Sequence, residues 1–213
     1  MIIECFGLPG TGKTTIAAQL AARLQAELVA VEGRRELIGF NLRAFLHHPI
    51  KYVRRTARAF HEQGSRELQL YKLRYIFLRR NALVEKARGY PLAIVDEGHV
   101  SNILSAFEQP LPEHRMLREL RQLDLPDLAV RVTLPPRERK LRLEKRGYFS
   151  RSSEPDEYLR RWEQAMDANG LLLERLLPAA GVRCIGIDGK MSIDTVHSAV
   201  TDALGVSARA PSL

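Results

Sequence analysis

Cysteine is almost missing from this sequence: two residues, Cys5 and Cys184, in a chain of 213. Two cysteines supply neither a disulfide framework nor the thiol spacing of a structural metal site. Both fall in short apolar stretches that read as strands, where a small buried thiol needs no further role. Long hydrophobic runs are also missing. None approaches the ~20 residues that a bilayer-spanning helix requires, which excludes a helical channel or transporter and leads us to expect no membrane partner. No basic leader precedes the first apolar stretch, so we expect no secretory signal and a reducing cytoplasmic setting. Acidic side chains are scarce in one region. Residues 34–88 hold 14 Lys and Arg against 4 Asp and Glu, a net +10 that exceeds the +8 of the whole chain. Residues 137–161 add 9 against 5. Such basic helices can face phosphorylated compounds, nucleic acid or water. The aromatic residues of 34–88 alternate with Leu and Ile at helical spacing. They read as core and not as a base-stacking platform, so nucleic acid is the less favoured partner.

What is present begins at residue 7. Gly7-Leu8-Pro9-Gly10-Thr11-Gly12-Lys13-Thr14 is a complete G-x-x-x-x-G-K-[ST] phosphate-binding loop. An apolar strand candidate (MIIECF) precedes it, and an Ala/Leu-rich helix candidate beginning at Thr14-Thr15 follows. A strand, a glycine turn and a helix N-terminus bring backbone N–H groups and the positive end of the helix dipole to one point, which suits a polyphosphate. Gly7, Pro9, Gly10, Thr11, Gly12, Lys13, Thr14 and Thr15 are therefore the expected nucleotide contacts. Lys13 would reach the β/γ-phosphates, and the Thr14 hydroxyl would ligate Mg²⁺.

Further strands are expected at 27–31 (ELVAV), 91–95 (PLAIV), 128–134 (LAVRVTL) and 183–187 (RCIGI), with helices between them. The second strand closes at Glu32-Gly33. Helical pieces are expected over 40–47, 51–63 and 66–88, the last capped by Ser65 and carrying Leu70, Leu73, Phe77 and Val84 along one face. Pro135-Pro136 opens a helix through Arg146 that Gly147 ends, and Ser153 with Asp156 has capping-box spacing for the next. A last helix spans 193–204. Short apolar strands alternating with helices indicate an α/β sandwich around a parallel sheet. Residues 1–206 are read as one domain and 207–213 as a flexible tail.

In such sheets ligands bind beyond the carboxyl ends of the strands. Asp96 ends the third strand, where an acid can hold Mg²⁺ opposite Thr14. Glu97, beside it, and Glu32, after the second strand, are competing groups for orienting or deprotonating an acceptor. His99 follows a glycine and reads as a solvated or capping residue. Arg142 and Arg146 share a helix face, and with Arg151 they form an arginine-bearing lid over about 142–153, with Gly147 as its hinge. Arg137 and Arg139 read as solvated.

On these residues the chain resembles the thymidylate kinase-like group of P-loop nucleotide and nucleoside kinases. Residues 70–97 look like that family's long helix and third strand, and 125–147 are similar to its fourth strand, double proline and lid-entering helix. The resemblance implies a three-layer P-loop NTPase fold with a five-stranded parallel sheet in the order 2-3-1-4-5. It places Arg74 near the acceptor and Asp188, in Asp188-Gly189, at the adenine-facing loop. Asp96-Glu97-Gly98 departs from the family's Asp-Arg-aromatic, which puts a carboxylate where an arginine grips an acceptor phosphate. The expected activity is transfer of the γ-phosphate of ATP, with Mg²⁺, to a small-molecule acceptor such as a nucleotide or nucleoside. The rival is an ATPase that drives a partner or nucleic acid. A homodimer stays open.

Overall fold

The computed structural model describes residues 1–61, 66–147 and 154–205. Five strands form one parallel sheet: β1 (Ile2–Phe6), β2 (Glu27–Leu28), β3 (Ala93–Val95), β4 (Leu128–Thr133) and β5 (Arg183–Asp188). Their order is β2-β3-β1-β4-β5, as the sequence led us to expect. β2 is shorter than its apolar stretch. Its two residues are exposed at the sheet edge; beyond them Val29 still donates its N–H to Ile94 O at 3.0 Å, and Val29 and Val31 are buried in one cluster with Ala82, Leu83 and Ala87.

Helices cover both faces. α1 (Lys13–Leu24) and α10 (Ile193–Leu204) bury Ile16, Leu20, Val196 and Val200 against Ile3, Cys5, Ile94 and Val130. On the other face α6 (His99–Ala106), α7 (Glu113–Leu120) and α9 (Asp156–Leu176) bring Leu104, Met116, Trp162 and Leu173 onto Phe6 and Ala129. Burial in this packing pushes the Cys5 thiol up to about 12, so it stays protonated and inert.

A helical region flanks the β2 edge. α2 (Gly33–His47) begins earlier than its apolar periodicity suggested, directly from Glu32, and α3 (Pro49–His61) follows. The next helix divides into α4 (Arg66–Tyr71), a π-helical segment (Lys72–Leu78) and α5 (Arg79–Ala87). The wider π turn changes the phase of the residues before it. Leu70, expected inward, is exposed, while Lys72 is buried and donates to the Ala106 carbonyl, 3.0 Å, at the end of α6. Asn41 of α2 donates to Leu78 O at 2.9 Å, which satisfies a carbonyl at the π junction. The caps expected at Ser65 and Ser153 lie outside the described residues, as does the 207–213 tail. α9 starts after Pro155 with no side-chain cap.

One charged residue in the sheet centre was hidden in an apolar stretch. Glu4 on β1 is 1% exposed and accepts the backbone N–H groups of Gly98 (3.0 Å), Val100 (3.1 Å) and Ser101 (2.7 Å). Burial raises its pKa, and these three donors pull it back only in part. The contact caps α6 and fixes the turn after Asp96-Glu97. A Cβ at Gly98 would lie 2.5 Å from Glu4 Oε2, so only glycine lets the carboxylate come this close. Glu4→Ala leaves three buried donors without an acceptor and is expected to destabilise the fold by about 3 kcal/mol. The shift of the urea midpoint at unchanged slope measures it.

Candidate active site

The phosphate loop lies where the strand order reverses, between β3 and β4, so its two flanks are the ends of those strands. Lys13 is buried, donates to the Leu8 carbonyl at 2.9 Å and lies 3.7 Å from Glu97 Oε1. Burial lowers its pKa, and the Glu97 carboxylate opposes that. Thr11 is buried and ties back to Leu8 O, while Thr14 and Thr15 are exposed at the start of α1. Thr14 Oγ1 and Asp96 Oδ2 are 3.1 Å apart. Two hard oxygens at this separation, one anionic, suit a Mg²⁺ that takes its remaining ligands from phosphates and water. No group of three or more His, Cys, Asp or Glu that could hold a metal occurs among the described residues.

The fifth strand's end closes the loop from the side. Gly189 donates to Thr133 O at 2.8 Å, and a Cβ there would stand 2.3 Å from Thr11 O. Asp188 turns back to accept the Lys190 N–H. The residues at the expected adenine-facing loop are thus packed directly on the phosphate loop.

Helix α8 (Pro136–Arg146) covers it from above. Arg142 Nη1 donates to Thr11 O at 3.3 Å. Arg146 lies one turn on, exposed, and Arg151 falls outside the described residues. Arg139, expected in solvent, is instead buried. It pairs with Glu163 at 3.2 Å, and its Cγ would sit 3.0 Å from a Cβ at Gly10. α8 bends over the loop tip, so the side chain on its inner face has no route to water.

The third wall is a narrow cleft of about 50 Å³ beside the loop, lined by Tyr71, Ile76, Arg80, Glu97, Trp162 and Met166 together with Ser101 and Ser105. Arg80 was one cation among many in the basic segment, yet it is buried, as Lys72 is. Its guanidinium donates to Glu97 Oε2 (2.5 Å), Ser101 O (2.9 Å) and Asn102 Oδ1 (3.2 Å). Glu97 therefore stands between Lys13 and Arg80. Burial works against its charge, but the two cations overcome this and hold its carboxyl at about 2. Glu32 is not brought to this cleft. It is exposed at the start of α2, its own N–H donates to Glu36, and its field acts on Lys86. Arg74 is also exposed, stacked over Tyr75 at 5.4 Å. Tyr75 itself is exposed, contrary to the expected core position. His99 is neither solvated nor capping: its ring is buried between the Asp124 carbonyl and the Asn81 amide, 2.9 Å from each.

A family model described as an AAA domain matches residues 2–168. No curated protein matches the chain. Among solved structures, deoxyadenosine kinase from M. mycoides with bound dCTP is similar at 15% identity and a TM-score of 0.52, over 97% of this chain and 100% of that one. The same enzyme with bound dATP gives 17% identity and a TM-score of 0.54 over 96% and 100%. At this identity the likeness is one of fold.

The ion chain has a pH signature. Glu97 returns to its ordinary value near 4.5 on unfolding, so its stabilisation is complete above that pH and is lost as pH falls towards about 2. Glu97→Gln is expected to flatten the decline of stability over this window. Denaturation midpoints at pH 6 and pH 3 for the two proteins measure the difference.

Proposed function

Because the chain belongs to the AAA domain family and carries the fold of the P-loop kinases, we propose that it is an ATP- and Mg²⁺-dependent phosphotransferase whose acceptor offers a neutral hydroxyl, a nucleoside-type compound. The observation that carries this reading is the Arg80–Glu97 pair in the cleft. An acceptor phosphate needs a surplus of positive charge around it. Here the cleft's arginine is already matched by a carboxylate and two further acceptors, so the wall presents no free cation. The rest of the wall mixes the apolar side chains of Ile76, Leu104, Trp162 and Met166 with Tyr71 and the hydroxyls of Ser101 and Ser105, a lining that suits both the face and the polar edge of a planar base. The solved structures similar in fold are of a deoxyadenosine kinase, whose name gives a nucleoside as its acceptor, and this supports a nucleoside-type acceptor here. The thymidylate kinase-like resemblance fits less well, since Glu97 replaces the phosphate-gripping arginine.

Each residue then has a task. Lys13 would turn its ammonium from Leu8 O to the β/γ-phosphates, together with the loop amides. Thr14 and Asp96 would hold Mg²⁺, which would supply positive charge to offset that of the phosphates. Glu97 is ionised throughout the neutral range and too acidic to remove a proton early. It would accept a hydrogen bond from the acceptor hydroxyl and aim that oxygen at the phosphorus, which a loose transition state requires more than strong base. Arg142, with Arg146 following it on α8, would neutralise the transferring group. α8 and the apolar cleft would exclude water.

Two measurements test this. With γ-³²P-ATP, label should appear on a nucleoside or related hydroxyl compound while basal hydrolysis stays slow; vigorous hydrolysis with no labelled product across a broad acceptor panel would favour an ATPase. Lys13→Ala should lower kcat about 10²–10³-fold. Arg142→Ala should lower kcat with little change in nucleotide affinity, and loss of affinity at constant kcat would make it an ordinary binding residue.

A further inference from the structure

Helices α2 and α3 present apolar side chains to the side away from the sheet. Ile38, Leu46 and Ile50 are 67%, 67% and 69% exposed, Leu42 and Val53 are 57% and 56%, and Phe45 is also exposed. The inward faces of these helices are accounted for. Asn41 bonds to Leu37 O and Leu78 O, and the Tyr52 ring meets Phe77 edge-on at 5.1 Å. Apart from Phe45, which meets the Tyr52 ring edge-on at 5.7 Å, the outward residues are more than half exposed, and a set of this kind marks a docking surface.

Charge selects the occupant. Helical spacing places Arg34 and Arg35, both exposed, on the stripe of Ile38, Leu42, Phe45 and Leu46. It places Arg54 beside Ile50 and Val53. Residues 33–61 contain seven Lys and Arg and a single acid, Glu36. The Glu36 carboxylate is itself engaged by Lys86 at 3.0 Å. A second copy seated on this face would set like charges against each other. A nucleic acid would want aromatic rings to stack on, and of the six exposed apolar residues named above only Phe45 is aromatic. A lipid surface with anionic headgroups accepts both the aliphatic stripe and the arginines beside it.

We propose that α2 and α3 dock on an anionic bilayer surface, with Ile38, Leu42, Leu46 and Ile50 at headgroup depth and Arg34, Arg35 and Arg54 against lipid phosphates. No helix among the described residues is long and apolar enough to cross a membrane, so the contact lies in the plane of the surface. The expectation of no membrane partner rested on the missing span, which bears on crossing and not on lying flat. The docking face shares no residue with the cleft or the phosphate loop, so this inference stands or falls apart from the kinase reading.

Co-sedimentation of the full chain with vesicles tests it, using phosphatidylcholine alone and phosphatidylcholine with about one-third phosphatidylserine. Binding is expected to the anionic vesicles only and to weaken with salt. The double variant Leu42→Glu, Leu46→Glu should lower partitioning about tenfold or more. Arg34→Ala with Arg35→Ala, which removes only exposed charge, should lower it about fivefold per arginine. Unchanged thermal midpoints and ATP turnover would show that the variants fold. Failure to bind anionic vesicles, or equal binding to neutral ones, overturns the proposal. So does a wild-type dimer that Leu42→Glu, Leu46→Glu dissociates, or salt-dependent oligonucleotide binding that the same variant abolishes.

Discussion

The buried carboxylate of Glu4 fixes how far apart the two halves of the site stand. It sits on the strand that feeds the phosphate loop and holds three N–H groups of the turn that follows Asp96-Glu97. Through it β1 and the end of β3 move as one body, which keeps Thr14 within reach of Asp96 and Lys13 within reach of Glu97. A buried acid is a costly way to join two elements, since burial disfavours its charge. It is tolerated here because the donors it meets are the free N–H groups of a helix start, which would otherwise be orphaned in the core.

The second constraint is the run Lys13–Glu97–Arg80. Three charges in a row, with the half-exposed negative one in the middle, let Lys13 and Arg80 be buried at lower cost than alone. The arrangement also divides the site chemically. On the loop side a cation remains for phosphates. On the cleft side the arginine is spent on Glu97, Ser101 and Asn102. Helix α8 rests on the loop tip through Arg139 and Arg142.

Much of this was legible in the sequence because it is local. The phosphate loop, the strand-end Asp96 and the Pro135-Pro136 to Gly147 helix are written in consecutive residues, and the sheet order followed from the resemblance they carry. What escaped notice depended on long-range placement. Glu4 looked like an interruption of an apolar strand because its donors lie 94–97 positions away. Arg80 could not be told from its basic neighbours, since burial distinguishes it and composition does not. Leu70 was misplaced by the π segment, whose extra residue per turn shifts the faces before it. Arg139 was read as solvated because nothing in its neighbours announces that α8 folds back on Gly10.

The central claim is that the cleft is built for a neutral hydroxyl because its one arginine is already matched. The most direct measurement is the ratio of kcat/KM for a nucleoside acceptor and for its own 5′-monophosphate, with ATP saturating. The account predicts strong preference for the nucleoside, and predicts that Glu97→Gln, by releasing Arg80, shifts the ratio towards the monophosphate. A wild-type enzyme that prefers the monophosphate, with the preference unchanged or reduced in Glu97→Gln, would contradict it.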